Sequence, residues 1–320
     1  MKYGKEAFTE KPISKLVLGT VGLKEDRASA HMAHLDNAFE LGYNTFDTAR
    51  GYGSEPVLGQ WMRSREVRDQ VVIISKGGSP RNGAMRVNRR ELTDDLTRSL
   101  EALGVDFIDL YLLHHDDPNV PVEEIIDIFD DFWKQGYIRA YGASNCTAGR
   151  ISEANAYAAK VGKRGFVASS PDYSLAVEVE QPWLDGCVSI SGPKEKAQRA
   201  YYISSGIPVI PYSSLAGGLF SGRMSRQLFK NNPEAFSIHC RRGYCFDENF
   251  TRLERAEELA ARHQASIPQI ALAFLLHAGF SVYPITGAAN RDELQNNLGV
   301  FDVSLSKNEC DYLDLLTDEL

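Results

Sequence analysis

The chain alternates short apolar runs with longer segments in which apolar residues recur every three or four positions. The longer segments carry charged residues between the apolar ones, as amphipathic helices do. They predict helices over Ala28–Leu41, Arg89–Leu103, Val122–Gln135 and Thr147–Val161. The short runs predict strands near Leu16–Gly19, Asn44–Phe46, Val71–Ser75, Phe107–Leu112, Ile138–Gly142, Phe166–Ala168, Pro208–Pro211 and Val282–Pro284.

The order of the predicted strands and helices indicates the fold class. Strands that alternate with helices are typical of βαβ units and a parallel sheet. The eight steps show no change of period and no Gly/Ser linker, which favours an α/β fold of the (β/α)8 TIM barrel class, with one domain over residues 1–320. Gly104, Gly136 and Gly162 follow predicted helices and are expected to end them in the left-handed conformation. Residues 171–193 and 217–249 are expected to form long functional loops at the C-terminal face.

Composition narrows the class of partner. A formal charge of −8 argues against a nucleic acid or an anionic membrane, because both require a concentrated basic surface. The N-terminal stretch lacks the apolar core of a secretory signal, and no apolar run has the length of a membrane span, so we expect a cytoplasmic protein. The five cysteines form no C-x-x-C pair and are expected to be buried or idle thiols: Cys146, Cys187, Cys240, Cys245 and Cys310.

Titratable residues follow three consecutive predicted strands. Asp47 and Tyr52 come after the second strand, Lys76 ends the third, and His114 ends the fourth. Barrel enzymes place their catalytic groups at the C-terminal ends of the strands, where the βα loops converge. We therefore expect these four side chains to face one pocket.

The four residue types make a coherent set for proton transfer. A tyrosine is a poor acid at neutral pH, but a lysine ammonium nearby favours the phenolate. Asp47 would hold the Lys76 ammonium in place, so that Tyr52 serves as an acid in one direction and a base in the other. A neutral His114 would donate a hydrogen bond to a substrate oxygen on which charge develops. This arrangement is suited to hydride transfer.

Each residue also has a structural explanation when taken alone. Asp47 could cap a turn, and Tyr52 or Lys76 could lie at the rim in solvent. The run from His114 to Asp117 has the residue types of a metal site, but neighbouring side chains of an extended segment point to opposite faces. We therefore expect no metal, and we interpret His115 and Asp116 as pocket wall. A Schiff-base enzyme with Lys76 as the nucleophile remains an alternative.

Seven segments of the chain, in the same order, resemble the motifs of the aldo-keto reductase family. The similarity spans essentially the whole chain, and agreement at so many places is specific. The segments are Leu18-Gly19-Thr20, Phe46-Asp47-Thr48-Ala49 followed by Tyr52-Gly53-Ser54-Glu55, Ile74-Ser75-Lys76, Asp109-Leu110-Tyr111-Leu112-Leu113-His114, Gly142-Ala143-Ser144-Asn145, Tyr212-Ser213-Ser214-Leu215-Ala216-Gly217-Gly218 and Pro284-Ile285-Thr286-Gly287-Ala288.

The resemblance implies an NAD(P)-dependent oxidoreductase in which Asp47, Tyr52, Lys76 and His114 form the catalytic tetrad. It implies that Ser144 and Asn145 bind the nicotinamide carboxamide, with Ser170 in the place of the family's glutamine. Tyr212 would stack on the nicotinamide ring. The other residues expected to contact the cofactor are Gly19, Thr20, Asp47, Ser213, Leu215, Gly217, Gly287, Ala289, Arg291, Glu293 and Asn297.

The resemblance leaves the cofactor and the substrate less closely defined. Members that prefer NADP carry a cation near the position of Ala289, where Arg291 is the nearest candidate here, so NADP(H) is favoured and NAD(H) is the alternative. Arg50, His115, Asp116 and Asp172 predict a polar pocket mouth, which favours a hydroxylated carbonyl or alcohol such as a sugar or inositol derivative. A regulatory barrel that binds the cofactor with little turnover is the competing interpretation. Homo-oligomerisation is a further option.

Overall fold

A computed structural model describes residues 1–320. The chain forms two compact units, Met1–Ser170 (the N-terminal unit) and Pro171–Leu320 (the C-terminal unit). None of the helices combines the length and the apolar composition needed to span a bilayer.

The N-terminal unit is built on a parallel sheet. A short antiparallel hairpin, which the apolar pattern did not predict, precedes it. Each strand from β3 to β8 pairs with the next one along the chain, and β4, β5 and β6 are buried along their whole length, as expected for a sheet covered on both faces. The strands are β1 (Tyr3–Gly4), β2 (Ile13–Ser14), β3 (Val17–Gly19), β4 (Thr45–Asp47), β5 (Val72–Gly77), β6 (Ile108–Leu113), β7 (Ile138–Ser144) and β8 (Ser169–Ser170).

Five α-helices of this unit lie between the strands. The four helices predicted from the period are confirmed, with ends that differ by at most one residue, since local caps define them. Gly104, Gly136 and Gly162 adopt the predicted positive φ values of 65°, 81° and 68°. The helices are α1 (Ala28–Glu40), α2 (Glu55–Arg65), α3 (Arg89–Leu103), α4 (Val122–Lys134) and α5 (Ala148–Lys160).

Helix α2 approaches the end of α3 through a glycine. A Cβ atom added at Gly59 would lie 2.4 Å from the carbonyl oxygen of Leu103 and 2.7 Å from that of Ala102. Because both obstacles are backbone atoms, only glycine permits this approach. The contact fixes the helix that directly follows the turn carrying Tyr52.

The C-terminal unit is mainly helical around a core cluster of its own. The cluster contains buried Tyr173, Tyr202 and Leu275 together with Val209 and Val282, which pair as an isolated parallel bridge. The elements are α6 (Lys196–Ser205), α7 (Arg226–Asn231), α8 (Ile238–Gly243), α9 (Asp247–His263), α10 (Ile267–Leu276), β9 (Ile285–Thr286), α11 (Arg291–Leu298) and α12 (Lys307–Leu313).

The last three predicted strands have the wrong bounds. The sixth is displaced from Phe166–Ala168 to Ser169–Ser170, because Ser169 is the residue that pairs with Ala143 of β7. The seventh and eighth, predicted at Pro208–Pro211 and Val282–Pro284, shrink to the single bridge between Val209 and Val282. Proline has no N–H to donate, so Pro211 returns no bond to the second run, although its carbonyl oxygen still accepts from the Ile285 N–H at 2.9 Å.

Candidate active site

Asp47 and Lys76 form a buried ion pair at the ends of two neighbouring strands. Asp47 ends β4 and pairs in register with Ile74 of β5. Lys76 lies two residues beyond Ile74, hence on the same face of the sheet. The Lys76 Nζ lies 2.6 Å from Asp47 Oδ1 and donates to the carbonyl oxygen of Thr48 at 3.0 Å. The two side chains are 2% and 4% exposed, so the pair is shielded from solvent.

Burial and charge act against each other in this pair. Burial alone lowers the pKa of Lys76, but the Asp47 carboxylate and Tyr52 outweigh it and the pKa rises. Burial raises the pKa of Asp47, which the Lys76 ammonium opposes. The short separation of the two groups favours the ionised pair. Lys76 is therefore a cation, which makes its amine a poor nucleophile and argues against Schiff-base chemistry.

The hydroxyl of Tyr52 lies beside the Lys76 ammonium. Tyr52 ends a 3₁₀ turn, Arg50–Tyr52, whose first bond runs from the Tyr52 N–H to the Ala49 carbonyl oxygen. The hydroxyl oxygen lies 3.4 Å from Lys76 Nζ, and the ammonium is 4.9 Å from the ring centroid. Three of the four expected side chains thus form a continuous chain from carboxylate to ammonium to phenol.

A second buried carboxylate braces the turn that carries Tyr52. Glu55, the first residue of α2, is fully buried. Its carboxylate accepts from Arg50 at 3.1 Å and from the Ser75 hydroxyl at 2.8 Å. The sequence motifs do not predict these contacts. They tie both ends of the Tyr52 turn to strand β5, which carries Lys76.

Hydroxyl groups hold the segment between β4 and Tyr52. The Ser54 Oγ lies 3.0 Å from Thr20 Oγ1 and 2.9 Å from Thr48 Oγ1. The backbone N–H and hydroxyl of Thr20, which follows Gly19 at the end of β3, both donate to the Asp47 carbonyl oxygen at 2.9 Å. Thr20 therefore supports the backbone of the ion pair.

His114 completes the group from the next strand. It lies two residues beyond Leu112, the register partner of Lys76, and its N–H donates to the Gly77 carbonyl oxygen at 2.8 Å. Its ring meets the Tyr52 ring edge-on at a centroid distance of 5.6 Å. Burial, the Lys76 ammonium and His115 hold the pKa of His114 well below 6.5. The imidazole is neutral at physiological pH, and its buried Nδ1 has no hydrogen-bond partner.

The neighbours of His114 are engaged in packing and ion pairing. The His115 ring lies 4.8 Å from the His114 ring, and burial lowers its pKa to about 4. Asp116 is paired with Arg150 at 2.9 Å. A carboxylate that is already neutralised by an arginine fits the interpretation of this segment as pocket wall.

A polar group at the end of β7 adjoins His114. The side-chain amide of Asn145 donates to the His114 carbonyl oxygen at 2.9 Å, and the residue is held at a positive φ of 55°. The Ser144 hydroxyl donates to the Ser170 carbonyl oxygen at 2.8 Å. The Ser170 Oγ is buried and has no partner. The structure thus brings together the three residues expected to bind the carboxamide.

In the C-terminal unit, the segment after Tyr212 forms a tight turn with several left-handed residues. Ser213, Ala216, Gly217 and Gly218 have φ values of 54°, 52°, 61° and 100°. The amide groups of Leu215 and Gly217 donate to no protein acceptor. Successive left-handed residues turn backbone N–H groups towards one side, a geometry that binds anions.

A buried carboxylate lies in the same unit. Asp172 is fully buried and accepts from the Tyr244 hydroxyl at 2.6 Å and from the Ser189 hydroxyl at 3.1 Å. Burial raises its pKa to about 6 despite these donors. Its burial corrects the expectation that Asp172 lies at a polar pocket mouth.

The residues expected at the adenosine end lie around the start of α11. Glu293 accepts from the Ala289 N–H at 2.9 Å and is paired with Arg223 at 2.6 Å. Gly287 and Ala289 are exposed, Arg291 begins the helix, and Asn297 is buried in its last turn. Glu293 is therefore neutralised by an arginine from outside the predicted set.

Comparison with known proteins agrees with this geometry. The model of the Aldo/keto reductase family matches residues 15–318. The probable aldo-keto reductase 1 of Glycine max is 28% identical over 97% of this chain and 86% of its own length. The NADH-specific methylglyoxal reductase of Escherichia coli (strain K12) is 27% identical over 88% of this chain and 86% of its own length.

A solved structure is also similar. The crystal structure of a thermostable aldo-keto reductase in complex with the inhibitor epalrestat has a TM-score of 0.74 and 25% identity, and the match covers 99% of this chain and 100% of that chain. This agreement over the full length confirms the (β/α)8 barrel class predicted from the sequence. The family consists of oxidoreductases that act on carbonyls or alcohols with nicotinamide cofactors. The chain belongs to the aldo/keto reductase family.

Proposed function

We propose that this chain is an NADP(H)-dependent reductase of aldehydes or ketones, which also catalyses the reverse oxidation, with Tyr52 as the general acid and base. The observation that carries the proposal is the chain of three groups that leads from a buried ion pair to a half-buried phenol, with Tyr52 Oη 3.4 Å from Lys76 Nζ and Lys76 Nζ 2.6 Å from Asp47 Oδ1. The cofactor supplies or accepts the hydride. The protein supplies the proton.

Tyr52 would protonate the substrate oxygen in the reductive direction. The Lys76 ammonium stabilises the phenolate that remains, and Asp47 keeps that ammonium charged in a buried place. The neutral imidazole of His114 donates a hydrogen bond to the same oxygen and orients it towards Tyr52. General acid catalysis of this kind contributes on the order of 10²- to 10⁴-fold to a rate.

Unsatisfied polar groups support cofactor binding in each unit. In the N-terminal unit, the buried Ser170 Oγ without a partner would bind the carboxamide together with Ser144 and Asn145. In the C-terminal unit, the N–H groups of Leu215 and Gly217 would bind the pyrophosphate, since they belong to a turn with several left-handed residues and have no protein acceptor. The Ser213 backbone extends that turn, and Tyr212 would stack on the nicotinamide ring. Gly19, Thr20 and Asp47 would line the nicotinamide end.

Arg291 would favour NADP(H) over NAD(H). Arg291, the first residue of α11, would contact a 2′-phosphate, and the pairing of Glu293 with Arg223 reduces the repulsion that the Glu293 carboxylate would exert on it. Gly287, Ala289 and Asn297 would contact the adenosine. The relative named as NADH-specific keeps NADH as the competing cofactor. Titrating the protein with NADPH and then NADH, followed by fluorescence quenching, decides between them, and equal or tighter binding of NADH would refute the preference.

The substrate we propose is a small polar carbonyl such as a hydroxylated sugar or inositol derivative. Arg50 stands beside Tyr52 with a third of its side chain exposed, and a Cβ atom at Gly51 would meet nothing closer than 3.7 Å. A partly exposed polar side chain and open space next to the acid favour a hydroxylated substrate over an apolar one. A turnover screen in which only apolar aromatic aldehydes react would contradict this.

One assay tests the central proposal and its competitor together. Purified protein, NADPH and a panel of hydroxylated and aromatic aldehydes should show carbonyl-dependent oxidation of NADPH. Tight binding of NADPH without turnover on any carbonyl would instead support the regulatory interpretation. The expectations of one domain, a cytoplasmic location and homo-oligomerisation stay predictions.

A further inference from the structure

Two cysteines of the C-terminal unit lie in contact. Cys240 is in α8 and Cys245 follows the helix, and their sulfur atoms are 3.7 Å apart. The chain turns back on itself because the N–H groups of Tyr244 and Cys245 both donate to the Cys240 carbonyl oxygen, at 2.9 and 3.1 Å. The two residues are 1% and 8% exposed, so the small exposed fraction belongs mainly to Cys245.

The two thiols are chemically unequal. The hydrogen bond between the two thiols lowers the pKa of Cys245, and the positive charge of Arg241 acts in the same direction against the effect of burial. The same hydrogen bond and burial raise the pKa of Cys240. The more exposed sulfur is therefore the better thiolate, and the buried one is placed to react with it second.

We propose that Cys240 and Cys245 are a redox modification site that a small peroxide converts to a disulfide. The Cys245 thiolate attacks one oxygen of hydrogen peroxide, the O–O bond breaks, and hydroxide leaves and takes up a proton. The Cys240 sulfur then attacks the sulfenic acid formed on Cys245, losing its proton as the S–O bond breaks and water departs. Two thiols and one peroxide give one disulfide and two waters, and the two electrons pass from sulfur to oxygen.

The pair is packed against the turn that we propose binds the pyrophosphate. A Cβ atom at Gly217 would lie 3.3 Å from the backbone N and Cα of Cys240. The Ser237 hydroxyl accepts from the Cys240 N–H at 3.1 Å and donates to the Gly217 carbonyl oxygen at 3.4 Å.

Closing the disulfide would shift this packing. The sulfurs must approach from 3.7 Å to the ~2.05 Å of a covalent bond, and the Cys240 backbone lies so close to Gly217 that an added Cβ atom there would crowd it. We therefore expect oxidation to weaken NADPH binding by about tenfold, a typical coupling between neighbouring sites. This second part rests on the proposed function, whereas the disulfide itself does not.

The sequence allows a direct test by peptide mapping. Arg241 and Arg242 lie between the two cysteines, so trypsin separates Cys240 from Cys245. Protein treated with hydrogen peroxide and then alkylated should yield the two peptides joined, with a mass lower by two hydrogens than their sum. Reduction before alkylation should release both. Separate alkylated peptides, or sulfonic acids without a link, would overturn the proposal.

Variants separate the disulfide from its effect on the cofactor. Cys240→Ser should leave a sulfenic acid on Cys245 that dimedone traps, and Cys310→Ser, at a half-buried thiol elsewhere in the unit, should still form the link. NADPH affinity is then compared between reduced and oxidised wild-type protein. A link with unchanged affinity would overturn the coupling alone. Reduced protein that binds no NADPH would instead overturn the proposed function, while the link would still support the modification site.

Discussion

Replacing Asp47 with asparagine should leave the buried Lys76 ammonium without its counterion. The change keeps the shape of the side chain but removes the carboxylate that lies 2.6 Å from Lys76 Nζ, in a pair that is 2% and 4% exposed. Removing one partner of a buried ion pair costs about 3–5 kcal/mol, because the other charge remains without compensation. Lys76 keeps the Thr48 carbonyl oxygen at 3.0 Å as an acceptor, so we expect the low end, about 3 kcal/mol.

Urea unfolding followed by circular dichroism measures this cost. Asp94→Asn is the matched control, since Asp94 pairs with Arg98 at 2.9 Å on the exposed surface of α3, where such a pair contributes about 0.5 kcal/mol or less. The double variant Asp47→Asn/Lys76→Met also removes the charge of Lys76. Part of the lost free energy of unfolding should therefore return. An Asp47→Asn protein as stable as the Asp94→Asn control would refute the reasoning about burial.

Three further predictions concern groups elsewhere. Because the folded pKa of Asp172 is raised to about 6, the stability it contributes is full below its ordinary value of 3.8 and is lost as pH rises through 6. Wild type should therefore lose about 2 kcal/mol of stability relative to Asp172→Asn between pH 4 and pH 7 in urea unfolding, and a constant difference would contradict this. Gly59→Ala should cost roughly 1–3 kcal/mol because its Cβ would lie 2.4 Å from the Leu103 carbonyl oxygen, whereas Gly22→Ala, with nothing within 4 Å, should be neutral in the same assay. Since the pKa of His114 lies well below 6.5, an NMR titration should show its ring neutral at pH 6.5, and a midpoint at that pH would be a contrary result.

Local signals account for the parts of the fold that were predicted well. The four predicted helices of the N-terminal unit have strong amphipathic periods and end at glycines or polar caps that lie within the same stretch of sequence, as with Asn88 before α3 and Gly104 after it. The seventh and eighth strands failed because their apolar runs look like strands, while the prolines beside them interrupt the hydrogen bonding. The pairing of a strand depends on the segment that lies beside it in the sheet. No local sequence pattern shows which segment that is.

In the candidate site, too, some contacts follow from local sequence patterns and others do not. The contact between Asp47 and Lys76 follows from residues at the ends of adjacent parallel strands, so strand order and period suffice to expect it. The brace from Glu55 to Arg50 and Ser75 was missed, because an acidic residue in the first turn of a helix usually faces solvent. The contact of Cys240 with Cys245 depends on how the chain turns after α8, and a separation of five residues matches no regular period.

The most direct test of the account is the single-turnover rate of Tyr52→Phe with saturating NADPH and a carbonyl substrate. Tyr111→Phe is the matched control, because the Tyr111 hydroxyl is buried on β6 and has no hydrogen-bond partner. The account predicts that Tyr52→Phe binds NADPH as wild type does and reacts on the order of 10²- to 10⁴-fold more slowly, since only the proton donor is lost. A Tyr52→Phe protein that reacts at the wild-type rate would contradict it.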